Sequence, residues 1–177
     1  VIDYDSEKIA VGTYHTCTIL DDGSVSCWGK NNKGQLGDGT TTDRLTPTQT
    51  SSFGNSRTAV AIAAAEFHTC AILDDGTVSC WGGNVNGRLG EGTTSGSTTP
   101  TQTNSLGTGR TAVAIATGSY HTCVILDDGS VSCWGTNDNG QVGDGTTTDR
   151  HTPTQTTSFS NDKTVVAITA GSMHTCA

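Results

Sequence analysis

Apolar residues in this chain fall in short clusters and never in long continuous runs. In the stretch HTCAILDDGTVSCWG, residues 68–82, two apolar clusters are separated by the polar sequence DDG. Valine, isoleucine and threonine dominate such clusters, and glycine, asparagine and aspartate separate them, which is typical of short β-strands joined by turns. No segment keeps a 3.6-residue apolar period long enough for a substantial helix. The pattern therefore predicts an all-β fold.

The same pattern recurs along the chain with a period of 53 residues. The positions that keep this spacing are Ile9, Ile62, Ile115 and Ile168; His15, His68, His121 and His174; Cys17, Cys70, Cys123 and Cys176; Cys27, Cys80 and Cys133; and Trp28, Trp81 and Trp134. Each unit reads as about four short antiparallel strands, which cannot enclose a core without a neighbouring unit. We expect one array over residues 1–177, with units at 9–61, 62–114 and 115–167 and a partial unit at 168–177.

The size of the unit indicates its architecture. Four-stranded repeats of about 50 residues have the usual length of a propeller blade, whereas the repeats of a linear β-solenoid are normally shorter. The sequence therefore predicts four-stranded antiparallel blades in a partial or open β-propeller, with about three blades and part of a fourth.

The DDG hairpin of each unit determines where the paired cysteines lie. A two-residue Asp-Gly loop would place Thr18 opposite Cys27, whereas a three-residue loop with a left-handed Gly23 places Cys17 opposite Cys27. The second register accounts for both the glycine and the cysteines, because Cα atoms of such a non-hydrogen-bonded pair lie about 4.5 Å apart, within reach of a disulfide. The predicted disulfides are Cys17–Cys27, Cys70–Cys80 and Cys123–Cys133, with Gly23, Gly76 and Gly129 at the turns.

Paired cysteines also predict a compartment. Disulfides persist in oxidising environments, so we expect an extracellular or cell-surface location. The expected partner of Cys176 would lie ten residues further on, beyond the last residue of the sequence. We expect that the natural protein is longer or that a neighbouring chain completes this blade; the alternative is a free reactive thiol or an intermolecular bridge.

The complete units share a longer motif. The stretches VAIAAAEFHTCAILDDGTVSCWGGNVNGRLGEGT and VAIATGSYHTCVILDDGSVSCWGTNDNGQVGDGT contain an apolar strand, a histidine and variants of LxxDGxVxxWGxNxxGQLG. This motif resembles the repeat of the regulator of chromosome condensation family, and the resemblance covers the three complete units and the partial fourth. It implies a β-propeller, usually of seven blades. The cysteine-containing variant looks like bacterial or environmental extracellular members, which implies a role in recognition or scaffolding.

Charge and composition disfavour two classes of partner. The net charge is −8 and basic residues are not clustered, whereas nucleic-acid binding needs lysine and arginine facing the phosphates. No run of eighteen apolar residues is present, so we expect no insertion into a membrane. The Ser/Thr/Pro-rich segments have a composition suited to O-linked glycans.

Candidate chemistry is weak at each repeated position. His15, Cys17 and Cys27 make a conceivable zinc set, but their spacing differs from that of zinc knuckles, and we expect no metal. The oxygen-rich sequences DDG and NDNGQVGDG leave calcium as a lesser alternative. We expect the histidines to form a repeated structural hydrogen bond to the neighbouring strand and the tryptophans to be buried blade anchors. No nucleophile motif or phosphate-binding loop is present, so we expect no enzyme activity and no cofactor.

These observations predict an extracellular structural or protein-interaction module. It would act as a scaffold, an adhesin or a unit of surface or filament assembly, through blade faces and variable loops that bind a protein partner or a second copy. The alternative is a fragment of a closed seven-bladed propeller that acts as a protein-binding inhibitor or regulator. A guanine-nucleotide exchange factor is the least favoured form of that alternative, because the chain lacks the basic surface implied for chromatin binding.

Overall fold

A computed structural model describes residues 8–159 and 163–177 of the chain. Positions 1–7 of the expected array and 160–162 of its third unit therefore lie outside the described residues. The all-β prediction is confirmed, because the described chain forms four-stranded antiparallel sheets and one two-stranded piece. No helix in the described part of the chain is long and apolar enough to cross a membrane.

Each four-stranded sheet is built from strands that are consecutive in the sequence. The first contains β1 (Ile9–Val11), β2 (His15–Ile19), β3 (Val25–Gly29) and β4 (Arg44–Gln49). The second contains β5 (Ala59–Ala64), β6 (His68–Leu73), β7 (Val78–Gly82) and β8 (Ser97–Gln102). The third contains β9 (Ala112–Thr117), β10 (His121–Leu126), β11 (Val131–Gly135) and β12 (Arg150–Gln155), and the two-stranded piece contains β13 (Thr169–Ala170) and β14 (Thr175–Cys176). We call the three sheets the first, second and third blades.

The cysteine hairpins have the predicted register. Cys17 lies opposite Cys27, Ile19 lies opposite Val25, and the other two blades repeat this pairing. The turn glycines Gly23, Gly76 and Gly129 have φ angles of 76 to 77°, a left-handed conformation that glycine adopts without a steric penalty. The structure contains the disulfides Cys17–Cys27, Cys70–Cys80 and Cys123–Cys133, each with its Cα atoms 4.1 Å apart.

The hydrophobic core lies between the blades. Cys17 and Val25 of the first blade belong to the same buried cluster as Ile62, Leu73 and Trp81 of the second. The first strands of successive blades also contact one another, which places β1, β5, β9 and β13 side by side. Each blade therefore depends on its neighbour for burial, as the repeat predicts. The expected unit boundaries at 62 and 115 fall inside β5 and β9, because a sequence period has no intrinsic starting point.

The blades have two distinct ends. The turns 12–14, 65–67 and 118–120 lie at the same end as the long loops 30–43, 83–96 and 136–149 that follow the third strands. We call this end the loop face. The DDG turns and the connections between blades lie at the opposite end, which we call the hairpin face.

Candidate functional site

A buried asparagine shapes each long loop of the loop face. The Asn31 side chain donates hydrogen bonds to the carbonyl oxygens of Thr40 and Thr42, both at 3.1 Å, and accepts one from the Leu36 amide at 3.0 Å. One fully enclosed side chain thus satisfies backbone groups across the whole loop. Asn84 and Asn137 make the corresponding contacts in the second and third loops.

An ion pair closes two of the three loops. The Arg44 guanidinium lies 2.6 Å from the Asp38 carboxylate, and Arg150 makes the same pair with Asp144. Burial raises the pKa of the Asp144 carboxyl, but hydrogen bonds from Thr146 and Arg150 outweigh this effect and lower the pKa to about 2. The second loop has Ser97 where the others have arginine, so it is closed without this ion pair.

Each loop also docks onto the next blade. The Gln35 carbonyl accepts hydrogen bonds from Trp81 Nε1 at 2.9 Å and from the Thr69 hydroxyl at 2.8 Å. Gly37 packs on the same indole, where an added Cβ would lie 2.7 Å from Nε1. The Arg88 carbonyl receives the same two bonds from Trp134 and Thr122 of the third blade. The tryptophan therefore fixes a blade to the loop of its predecessor.

The periodic histidines complete these junctions. His15 Nε2 lies 2.8 Å from the Thr69 hydroxyl, and His68 and His121 contact Thr122 and Thr175 of the following units in the same way. Because each threonine hydroxyl donates its proton to a loop carbonyl, it accepts from the histidine, and Nε2 carries the hydrogen. The histidines thus link the second strands of neighbouring blades.

Burial keeps these imidazoles neutral. It lowers the pKa of His15 and of His121 to about 4, and it lowers that of His68 well below the ordinary value. Nδ1 of each ring is enclosed and has no hydrogen-bond partner within the described residues. A protonated ring would place an unpaired N–H there, so these side chains are suited to structure and not to proton transfer.

Not every repeated residue occupies the same environment. Trp81 and Trp134 are fully buried, whereas Trp28 is partly exposed because no preceding loop covers it in the described chain. His174 is exposed for a related reason, since no following blade covers it there. Cys176 is an exposed free cysteine. The described residues contain no cluster of His, Cys, Asp and Glu side chains that could hold a metal.

The loop face carries a strip of aromatic and basic side chains. The Lys30 ammonium lies 4.7 Å from the centre of the Tyr14 ring, and the Arg88 guanidinium carbon lies 4.9 Å from the centre of the Tyr120 ring. Phe67 and Lys33 line a cavity together with Arg88 and Tyr120. We define the basic-aromatic strip as Tyr14, Lys30, Lys33, Phe67, Arg88 and Tyr120.

This strip stands out in an acidic chain. Arg44, Arg57, Arg110 and Arg150 each pair with an aspartate, while the lysines and the arginine of the strip form no salt bridge within the described residues. Aromatic residues and arginine are enriched at protein–protein interfaces. The geometry therefore makes the strip the candidate functional site.

Sequence reasoning did not single out this strip. Asn31 and Thr69 keep the 53-residue period, so the repeat contained a signal for their structural roles. Arg88 breaks the period, because the equivalent positions are Gln35 and Gln141. That difference was the available signal for a specialised residue.

Comparisons with known sequences agree with the repeat architecture. The profile described as the regulator of chromosome condensation (RCC1) repeat matches residues 22–72, 75–125 and 128–177, and a second profile of this repeat matches 7–35, 59–88 and 112–141. The chain is 35% identical over 170 residues to the ultraviolet-B receptor UVR8 of Arabidopsis thaliana, a match that covers 96% of this chain and 38% of that protein. It is 34% identical over 166 residues to the E3 ubiquitin-protein ligase HERC2 of Homo sapiens, covering 94% of this chain and 3% of that protein.

Solved structures show the same fold. Prp20p from Saccharomyces cerevisiae superposes with a TM-score of 0.78 at 23% identity, covering 92% of this chain and 41% of that one. Yeast RCC1 (Prp20) bound to Kap60 superposes with a TM-score of 0.81 at 22% identity, covering 94% and 40%. The chain thus spans well under half the length of these relatives. Because the repeat profile matches three successive segments that make up most of the sequence, the protein belongs to the regulator of chromosome condensation (RCC1) repeat family.

Proposed function

We propose that the chain is a non-catalytic protein-interaction module that binds its partner through the loop face. The observation that carries this proposal is the basic-aromatic strip, which combines cations that form no salt bridge within the described residues with aromatic residues that are at least partly exposed. Arginine and aromatic side chains are enriched among the residues that dominate protein–protein affinity. Loops held by buried asparagines and docked onto neighbouring blades present these groups at low entropic cost.

The chemistry of the repeated residues supports a non-catalytic role. The three buried histidines are used in the joints between blades, and Asp38 and Asp144 are used in the loops. Relatives are consistent with protein partners: the yeast structures concern binding of Prp20p to Gsp1p and histones, and Kap60 bound to yeast RCC1.

We further propose that the module works in an oxidising compartment, outside the cell or on its surface. The support is the three buried cystines, one in each blade, since disulfides are rare in reducing compartments. Mass spectrometry of the protein isolated under thiol-blocking conditions tests this part. We expect the six cysteines of the three disulfides to escape alkylation because they are paired. Alkylation of all seven cysteines would contradict an oxidising compartment.

Site-specific photo-crosslinking tests the binding face. A photoreactive residue replaces Val85 on the loop face, which is 62% exposed, or Leu20 beside the DDG turn on the hairpin face, which is 43% exposed. We expect a protein partner to crosslink at Val85 and not at Leu20 in cells that produce the protein. The same proteins at both positions, or a partner at Leu20 alone, would refute the assignment.

A further inference from the structure

A cavity on the loop face is lined by residues from all three blades. It has a volume of about 370 Å³, and its walls include Lys33, Phe67, Val85, Arg88, Thr94 and Tyr120. Ligand pockets in proteins range from about 300 to 1,000 Å³, so this cavity has room for one or two amino-acid side chains. Its residues come from the first loop, the second blade and loop, and the turn before the second strand of the third blade.

Arg88 occupies the position at which the other two loops have glutamine. Gln35 Oε1 accepts a hydrogen bond from the Lys33 amide, and Gln141 Oε1 accepts one from the Asn139 amide, both at 2.9 Å. Arginine has no acceptor, and Arg88 Nε instead donates to the Val85 carbonyl at 3.0 Å. The second loop also contains a 3-10 turn at Val85–Gly87. Glutamine at this position builds the other two loops, so a loop of this kind does not require arginine.

The Arg88 guanidinium is buried and forms no salt bridge with any carboxylate in the described part of the chain. The residue is 2% exposed, and Nη1 donates to the Ser119 carbonyl at 3.1 Å. Nη2 makes no hydrogen bond within the described residues and is not among the enclosed unpaired atoms, so it keeps some contact with solvent, and Arg88 lines the cavity. Every other arginine of the chain pairs with an aspartate. A buried cation with a free donor is stabilised when an anion reaches it.

No carboxylate among the described residues is in salt-bridge contact with Arg88. Burial lowers the pKa of Arg88, while Tyr120 and Glu66 act in the opposite direction. Glu66 forms no salt bridge with it, and Lys33 at the rim adds a second positive charge. The partly exposed Tyr120 lies with its ring beside the guanidinium, and the partly exposed Phe67 lines the same cavity. The cavity thus combines the guanidinium of Arg88, which an anion would stabilise, with the aromatic walls of Phe67 and Tyr120, which favour an apolar group.

We propose that this cavity binds a carboxylate-bearing residue of a protein partner. Arg88 Nη2 donates to the carboxylate, Lys33 attracts it, and Phe67 and Tyr120 pack against the adjacent apolar group. Charge complementarity identifies this occupant, because the chain's other arginines are already neutralised by its own aspartates. The inference rests on the proposed protein-binding role of the loop face and names the chemistry of its partner.

Nuclear magnetic resonance titration with small probes tests the pocket directly. The probes are N-acetylphenylalanine, which has a terminal carboxylate beside a ring, and N-acetylglutamic acid α-amide, which has a side-chain carboxylate. The neutral control is N-acetylphenylalaninamide. We expect saturable shifts of the Arg88 side-chain N–H signal at millimolar concentrations, with binding of the neutral control at least about tenfold weaker. The acid that binds more tightly shows whether the pocket prefers the terminal carboxylate of a partner chain or the carboxylate of an acidic side chain.

Three variants assign the binding to the proposed residues. Arg88→Gln installs the residue of the other two loops and should weaken binding at least about tenfold. Lys33→Gln, at an exposed position, should weaken it about two- to threefold at low salt and have little effect at high salt. Arg110→Gln, which removes a cation paired with Asp127 and Asp128, should leave binding unchanged.

The contradicting outcomes are distinct from failure of the proposed function. No saturable shift with either acid, equal affinity in Arg88→Gln that retains the wild-type signals of the hairpins, or tighter binding of inorganic phosphate would overturn the carboxylate pocket. A partner that crosslinks at Val85 in spite of such a result would leave the loop-face function standing. Probe binding without any crosslinked protein would support the pocket and contradict the interaction role.

Discussion

Acidification should destabilise the joints between blades. His15, His68 and His121 each donate from Nε2 to a threonine of the following unit, while Nδ1 is enclosed and has no hydrogen-bond partner among residues 8–159 and 163–177. Protonation would add a charge and an unpaired N–H at each buried site. The pKa of His15 and of His121 is lowered to about 4 by burial, and that of His68 lies well below its ordinary value.

The sign and size of the effect follow from proton linkage. Because the folded pKa values are lowered, the unfolded chain takes up protons first as the pH falls below the ordinary histidine pKa of 6.5. The contribution of the neutral histidines to the free energy of unfolding is therefore fully present above pH 6.5 and decreases as the pH falls toward 4. Between about pH 7.5 and pH 5 each histidine costs about 2 kcal/mol, and three cost about 6 kcal/mol. This loss is comparable with the whole stability of a typical domain, about 5–15 kcal/mol.

Urea unfolding at the two pH values, followed by tryptophan fluorescence without reductant, measures this loss. His68→Gln keeps a side-chain N–H donor for Thr122 but does not titrate, so its loss should fall to about 4 kcal/mol. The control His151→Gln replaces an exposed histidine of β12 and should retain the wild-type loss. A stability that is independent of pH in this range, or a full loss in His68→Gln, would refute the reasoning.

Three further perturbations test other parts of the framework. Replacing Cys70 and Cys80 with alanine opens a link of sequence separation 10 and should lower the unfolding free energy by about 2–3 kcal/mol, measured in guanidinium without reductant; an unchanged value would count against the staple. Trp81→Phe removes the N–H that bonds the preceding loop and should cost about 1–3 kcal/mol, whereas the same change at the partly exposed Trp28 should cost less. Asn84→Ala leaves buried backbone groups of its loop unpaired and should speed amide exchange there while the hairpins stay protected; uniform exchange throughout the chain would contradict the local role.

The elements that were predictable from sequence are those with local signals. The DDG turn carries its own conformational preference, and the cysteines distinguish between two registers that the turn alone allows. The 53-residue period then repeats this information in each unit, so blade composition and the disulfides could be derived together. An array of packed units follows because no unit can bury its core alone, and the unit length of 53 residues favours propeller blades.

The contacts between neighbouring blades were harder to predict because one partner in each hydrogen bond to a loop is a backbone carbonyl. Trp81 and Thr69 both bond the carbonyl of Gln35, and a carbonyl oxygen is present at every residue. The histidines were expected to bond the neighbouring strand, yet the identity of the threonine acceptor depends on how blades stack. The different exposures of Trp28 and Trp81 have the same origin, since position in the array decides which indole is covered.

The basic-aromatic strip could not be derived from one sequence because its residues are far apart along the chain and come together only in the fold. Arg88 and Tyr120 are 32 positions apart, and Lys33 reaches the same cavity from another blade. Pairing of the other arginines with aspartates also becomes visible only in the fold. The sequence indicated this site only by the arginine at position 88, where the equivalent positions of the other units have Gln35 and Gln141.

Hydrogen–deuterium exchange with and without the crosslinked partner tests the central claim most directly. The claim is that a framework of disulfide-stapled blades presents one binding face. The account predicts partner-dependent protection of segments 12–14, 30–37, 65–67 and 83–90, with unchanged exchange in the DDG turns 20–24 and 73–77. Protection that is confined to those turns, or absent from the loop face, would contradict it.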